Sequence, residues 1–506
     1  MKREMFRKLM AASLATVMVA GLAGCGNSAA GASGSGSAAG TPAGTGSQAA
    51  SGAQQDVEPY PVLTDANGNV YDLGGMEIII RDWFSPATEN GLNDPTNDYE
   101  EARLEYLDWI QEKYNFKIKR EAIGDWGSNP QDFVDYVTAG GDEKNYVFVL
   151  RNDPTVTSAM GKGYMWDLTQ LDSLDFSENK FQLNKLHERF ALKDHYYAMA
   201  TGYPEPRDGI FFNKTALTEA GITNPDSLYD MQADGTWTWD KWTEIMDQVQ
   251  RDVDNDGTLD IYGTTQNNGQ FAFAAVYSNG AELVGKDADG KFVYKAENAE
   301  TVAGLEFAVK VMTDYAVKFE DGAAWDAYKN AFKSGQAAFM CEQAYNMNNG
   351  SMLYVPTEKD KADGTGFSFD YGFVFFPKGP NATGYTNVWE DNAHVIPSCY
   401  DKERANKIAF AYNLYTEDIP GYENYKAALP GYLAGACDTR TVYETCDAML
   451  TNGFVTYHGV VPDLVTTDLQ WQIYAGAVVS EKLEAIRESW NTAINAANSK
   501  SEYVNE

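Results

Sequence analysis

The chain has 506 residues, 44 % hydrophobic and 13 % aromatic, which exceeds one ordinary core and is enough to fill two. With 39 Lys and Arg against 73 Asp and Glu the net charge is −34, so phosphate backbones and anionic headgroups repel the globular part. Nucleic acid is thereby excluded as an expected partner, and so is direct contact of the folded body with a membrane surface.

In chain order, residues 1–24 read as an export signal. Lys2, Arg3, Arg7 and Lys8 precede the apolar run Leu9–Ala20, and Leu22-Ala23-Gly24-Cys25 places small residues before a cysteine. Cys25 is the expected lipid-bearing first residue of the mature protein. Residues 25–69 form a linker whose first part, GNSAAGASGSGSAAGTPAGTGSQAASGAQQ, has no charge and no large apolar side chain. Such a stretch cannot bury enough surface to offset its chain entropy, and thirty residues of it reach roughly 30 Å.

Met76 to Ile80 reads as a buried strand, residues 97–114 as a helix, FKIKREAI as a second strand, residues 131–139 as a short helix and YVFVL (146–150) as a third strand. This alternation is the α/β signature, with ligands expected at the carboxyl ends of the strands. GIFFNKTALTEAGI supplies a further strand and helix, and Trp239–Val249 an amphipathic helix opening after Thr238. Residues 271–278 and 301–315 have helical spacing, and 282–294 a hairpin turning at Asp289-Gly290. A helix after Ala323, strands at AAFMCE and DYGFVFFP, and long helices at 402–416 and 480–498 complete the pattern. Four cysteines, Cys341, Cys399, Cys437 and Cys446, are too few for a disulfide scaffold. Cys437 and Cys446 are near enough in sequence to pair.

Four phrases, GYPEPRDGIFFNKTALTEAGI (202–222), GTWTWDKWTEIMDQV (235–249), NAFKSGQAAFMCEQAYNM (330–347) and DYGFVFFPKGP (370–380), occur in an order and spacing that resembles the extracellular solute-binding proteins of ABC importers (solute-binding protein family 1, the maltose-binding type). The resemblance implies a class II, two-lobed periplasmic-binding-protein-like α/β fold with a hinge and a central cleft. Crossings are expected near Gly202, Phe376 and Glu417, with lobe one at 70–202 plus 377–416 and lobe two at 203–376 plus 417–506. It also implies a monomer that works with membrane permease subunits.

A sugar presents C–H ring faces and hydroxyls, so its receptor needs flat aromatics and planar polar side chains. Trp83 follows the first strand, where the cleft should open; a core position is the alternative. Trp389 and Trp471 lie in polar stretches, unusual for buried tryptophans. The resemblance places a ligand-stacking aromatic at Tyr345, with Glu342 beside it, and sugar-bonding loops at Arg151 and Asp153 and at Gln270 and Phe271. Glu205 and Arg207 flank the first crossing. Solvated surface is the alternative for these polar groups, whereas Trp237, Trp239 and Trp242 read as structural.

DVDNDGTLDIYG (252–263) follows an EF-hand loop: Asp252, Asp254 and Asp256 fill positions 1, 3 and 5, Gly257 makes the turn, Thr258 offers its carbonyl and Asp260 is ninth. Gly263 replaces the bidentate glutamate. A structural calcium clip, weaker than a cytosolic sensor, is the expectation. Enzyme signatures are thin: four histidines, no G-x-S-x-G, no H-E-x-x-H. The expected protein is a lipid-anchored, non-enzymatic binding component on the outer face of a bacterial cytoplasmic membrane that captures a carbohydrate. A binder of peptide or another polar solute, and a calcium-dependent glycan-active enzyme, are the alternatives.

Overall fold

The structure, a computed structural model, describes residues 58–85, 95, 97–267, 269–347 and 369–504. The expected signal, Cys25 and most of the linker lie outside the described residues. No helix among them is long and apolar enough to cross a membrane. The chain divides at Asp72 into two compact units. In the first, Thr64 and Val70 form an antiparallel bridge closed by Asp65, whose carboxylate accepts from the amides of Asn67 (2.8 Å) and Asn69 (2.9 Å).

The second unit begins with β1 (Met76–Asp82), α1 (Asp98–Lys113), β2 (Phe116–Ala122), α2 (Asn129–Thr138) and β3 (Asn145–Leu150), the order read from the sequence. Asn97 caps α1 by accepting from the Glu100 amide at 3.0 Å, which fixes where the helix starts. Ile78, Ile79 and Ile80 are buried, each contributing about 1.5–3 kcal/mol of apolar burial. β2 and β3 both lie parallel to β1.

The chain then enters a second sheet through β4 (Asp208–Asn213), α3 (Trp239–Val249), β5 (Tyr262–Gln266), α4 (Phe271–Ser278), α5 (Ala299–Asp314), α6 (Ala327–Lys333), β6 (Ala337–Gln343) and β7 (Tyr371–Phe375). Its strand order is β7-β4-β6-β5, with β4 antiparallel to both neighbours and β6 parallel to β5. β8 (Ala393–Val395) returns to the first sheet, antiparallel to β3, giving the order β8-β3-β1-β2. The helices α7 (Lys402–Tyr415), α8 (Leu429–Gly435), α9 (Thr467–Tyr474) and α10 (Val479–Ser499) follow. Trp237 and Trp242 are fully buried and Trp239 stacks on Phe307 at 4.1 Å, which makes all three structural.

Near the expected first crossing the Gly202 amide donates to the Lys180 carbonyl, and β4 follows in the second sheet. The second does not fall at Phe376. Residues 378–389 stay on lobe two, with the Gly379 amide donating to Ser278, Asn387 to Asn452 and Trp389 to Phe454. The switch comes at His394, whose amide and carbonyl bond Met199. Gly379 keeps the segment in place, since an added Cβ would sit 2.4 Å from Asn279 and 2.8 Å from the Trp239 ring. The third crossing follows α7, where Lys180 in lobe one pairs with Glu417 at 2.7 Å.

Candidate functional site

The segments after β1 and β2 carry exposed rings, and Arg151 and Asp153 after β3 stand behind one of them. Asp82, fully buried at the end of β1, accepts from the amides of Phe84 (3.1 Å) and Ser85 (2.9 Å) and pairs with Arg120 at 3.0 Å. This turn presents Trp83, partly exposed, edge-on to Phe84 at 5.2 Å, with the Arg120 guanidinium over the Phe84 ring. Phe84 is 54 % exposed.

Beyond β2, Trp126 is 62 % exposed, and the Arg151 guanidinium lies 4.0 Å from its ring centre. Arg151 Nε donates to the Trp126 carbonyl at 2.7 Å, and its other end pairs with Asp153 at 2.7 Å. Asp153 also caps the helix Pro154–Gly161 through the Thr155 amide. Arg151 and Asp153, expected to meet a ligand directly, are thus brought together as the backing of Trp126.

On lobe two, Arg207 joins the first crossing, the second crossing and the end of β6. Its guanidinium donates to Gln343 Oε1 (3.0 Å) and the Glu390 carbonyl (3.1 Å) and pairs with Asp391 (3.3 Å) and Glu205 (3.5 Å). Gln343 passes the contact on, donating to Gln270 Oε1 at 2.6 Å. Glu205, Arg207 and Gln270 therefore belong to one network.

Asp208, the next residue, is pushed up to about 7 by burial and by the nearby Glu342 and Glu390 carboxylates. Its Oδ1 and Asn387 Nδ2 have no hydrogen-bond partner among the described residues. Both residues line a cavity of about 10 Å³, the size of one water molecule.

Glu342 is buried, accepting from Tyr328 Oη and from Asn267 Nδ2 at 3.2 Å, with Lys329 Nζ at 3.8 Å. Lys329 donates onward to Asn346 at 2.8 Å and lies 5.6 Å from the Tyr345 ring centre. The expectation that Glu342 touches a ligand is corrected: it supports the turn that presents Tyr345, which is 38 % exposed. Trp471, on α9, is 52 % exposed, and the neighbouring Gln470 donates to the Gly269 carbonyl, so α9 sits beside the Gln270 turn.

Two further expectations are corrected by burial. Phe271 packs against Trp242 and Phe376 in the core. Trp389 is buried, donates to the Met449 carbonyl at 3.4 Å and lies against Gly453, leaving no ring face for a ligand. Its polar neighbours Glu390 and Asp391 serve the Arg207 network instead. Phe84, Trp126 and the exposed Trp325 escaped sequence reasoning. Trp126 stands in the polar phrase GDWGSNP after a strand, the same signal that singled out Trp471.

In the loop after α3, carboxylate oxygens of Asp252, Asp254 and Asp260 lie within 4.8 Å of one another. Gly257 takes φ +93°, and the Asp256 carboxylate accepts from the Thr258 amide at 2.7 Å. Arg251 and Ile261 bridge the loop ends. Three of the expected ligands thus converge, and all four aspartates also accept from amides of the loop itself. Cys437 and Cys446 are separate thiols.

No family model and no curated protein matches the sequence. Solved structures do match the fold. An ABC substrate-binding protein of Listeria monocytogenes in complex with cycloalternan superposes with TM-score 0.54 at 15 % identity, covering 83 % of this chain and 99 % of that one. The cyclic alpha-maltosyl-1,6-maltose binding protein of Arthrobacter globiformis gives 0.54 at 14 %, covering 83 % and 99 %. UgpB of Mycobacterium tuberculosis in complex with glycerophosphocholine gives 0.53 at 16 %, covering 82 % and 98 %. The chain therefore has the two-lobed α/β fold of these binding proteins, built on two sheets that the chain crosses between more than once.

Proposed function

We propose that the protein is the substrate-binding component of an ABC importer and captures a carbohydrate, an oligosaccharide, by closure of its two lobes. The observation that carries this reading is the set of open rings, the partly exposed Trp83 and the exposed Phe84 and Trp126 after the lobe-one strands, with Tyr345 and Trp471 on lobe two. Such rings stack on the C–H faces of sugars, while Gln270 and Glu205, both partly exposed, offer planar polar groups for hydroxyls. The fold neighbours that hold cycloalternan and cyclic maltosyl-maltose support the ligand class.

A phosphodiester, as in the glycerophosphocholine complex, is disfavoured. Arg81, Arg120, Arg151 and Arg207 each already pair with a carboxylate. Contacts made by both lobes favour the closed form, which the permease then recognises; no bond is made or broken. The body is held at the outer face of the cytoplasmic membrane by lipid on Cys25 and acts as a monomer.

Isothermal titration against mono- and oligosaccharides, with chromatography of the mixture afterwards, tests the reading. Stoichiometric binding with the sugar recovered intact is expected. Release of shorter products would replace it with the glycan-active enzyme, and binding of peptides but no sugar would replace the ligand class.

The acidic loop is proposed to hold structural calcium through Asp252, Asp254 and Asp260, with the Thr258 carbonyl completing the set and Asp256 joining once it releases the Thr258 amide. Several carboxylates this close repel unless a cation neutralises them. With calcium at about 1 mM and a dissociation constant of about 0.1–1 mM, occupancy adds about 0.4–1.4 kcal/mol. A chelator is therefore expected to lower the melting temperature while sugar affinity stays within about twofold. The same melting temperature with and without chelator would remove calcium from the account.

A further inference from the structure

Lobe two also touches lobe one away from the three crossings. Its hairpin strands Val284–Lys286 and Phe292–Tyr294 pack with α10: Trp490 stands edge-on to Tyr294 at 6.2 Å, and Asn498 exchanges two bonds of 2.9 Å with the Phe292 backbone. From this block the chain after Ser499 runs onto lobe one. Lys500 Nζ donates to the Gly161 carbonyl at 2.9 Å, at the end of the helix Pro154–Gly161. The Tyr503 amide donates to Tyr197 Oη at 2.8 Å, with the two rings 5.3 Å apart and both buried.

Two further contacts reinforce the attachment. Lys286, on the hairpin, donates to the Glu188 and Ala191 carbonyls of lobe one at 3.1 and 3.2 Å. Pro462 lies so close to Gly161 that a Cβ added there would stand 2.8 Å from it.

The order of strands fixes which side of lobe one is held. That order is β8-β3-β1-β2, and Met199 bridges His394 of β8, so the chain around Tyr197–Met199 runs along the edge opposite β2. The open rings Trp83, Phe84 and Trp126 follow β1 and β2, towards the other edge. The first two crossings leave lobe one from Met199 and His394, next to the tail and away from those rings. Lowering lobe two over the rings therefore draws it away from Tyr197.

We propose that residues 500–503 are a strap that favours the open form: Tyr503 on Tyr197 and Lys500 on Gly161 hold lobe two back, and sugar capture has to loosen them. The proposal rests on the capture by lobe closure described above, and it assigns part of the affinity to residues outside the ligand face. Observed affinity scales with the population of the binding-competent form, so a weaker strap means tighter binding.

Three variants of the whole protein test it: Tyr503→Ala, Tyr197→Phe, which removes the hydroxyl that accepts the Tyr503 amide, and a chain ending at Ser499. Single-molecule energy transfer between dyes on the two lobes counts the closed fraction without sugar, and calorimetry gives the oligosaccharide affinity. Both are expected to rise about 3–10-fold in Tyr503→Ala and in the shortened chain, and by less in Tyr197→Phe, the mildest change. A closed fraction that falls, or stays within about twofold of wild type in all three, would overturn the strap whatever the affinity does. A higher closed fraction with no gain in affinity would keep the strap and remove capture by closure. If no oligosaccharide binds any of the proteins, the carbohydrate reading falls and the closed fraction still decides the strap.

Discussion

Replacing Arg207 by methionine is expected to lower the unfolding free energy by about 3–5 kcal/mol, the cost of removing one partner from a buried ion-paired network. The guanidinium touches Glu205, the Glu390 carbonyl, Asp391 and Gln343 together, by the bonds described above. Methionine fills much of the volume but leaves the Glu205 and Asp391 carboxylates facing each other without a cation. Glu205 is already raised from its ordinary value by burial, with Arg207 pulling the other way, so losing Arg207 favours its protonation.

Denaturant unfolding measures the loss. A double-mutant cycle with Asp391→Asn isolates the network: the pair should cost less than the sum of the single changes by about 1–3 kcal/mol. Additive effects would mean that Arg207 acts through packing of its stem alone.

Replacing Tyr345 by alanine is expected to weaken oligosaccharide binding by about 30-fold, some 2 kcal/mol, with little change in stability. The ring is partly exposed, so its removal leaves no large cavity. Its backbone turn, Ala344–Met347, is held independently by Asn346 Nδ2 donating to the Gln343 carbonyl at 3.0 Å and by Lys329 donating to Asn346. Tyr345→Phe should retain most of the affinity, since stacking needs the ring and not the hydroxyl. Titration calorimetry on the three proteins decides it: equal affinity for all three would take Tyr345 out of the binding face.

Much of the scaffold was legible because its signals are local. The apolar run at Ile78–Ile80, the Thr238 cap before Trp239–Val249 and the Asp289-Gly290 turn each concern residues a few positions apart, and the structure has the elements there. The second crossing was misplaced because the proline after FVFF ends a strand without saying where the chain goes next. Contacts of Gly379 and Asn387 with segments about seventy to a hundred residues away decide that.

The candidate site divides along the same line. That Trp83 lies at a strand end and that Asp252, Asp254 and Asp260 can converge follow from spacing along the chain. Whether a tryptophan in polar company is a stacking face or a core plug does not: Trp126 and Trp471 lie open, while Trp389 is closed over by Gly453 and Met449. The difference is made by what packs on each ring. Sequence alone thus determined the two-lobe plan, the order of strands and helices, the acidity and the metal-type loop, all products of short-range periodicity and composition. Only the tertiary structure decided which polar groups join through Arg207, which rings stay exposed, and that the chain after α10 returns to lobe one, because burial and ion pairing depend on segments brought together from distant parts of the chain.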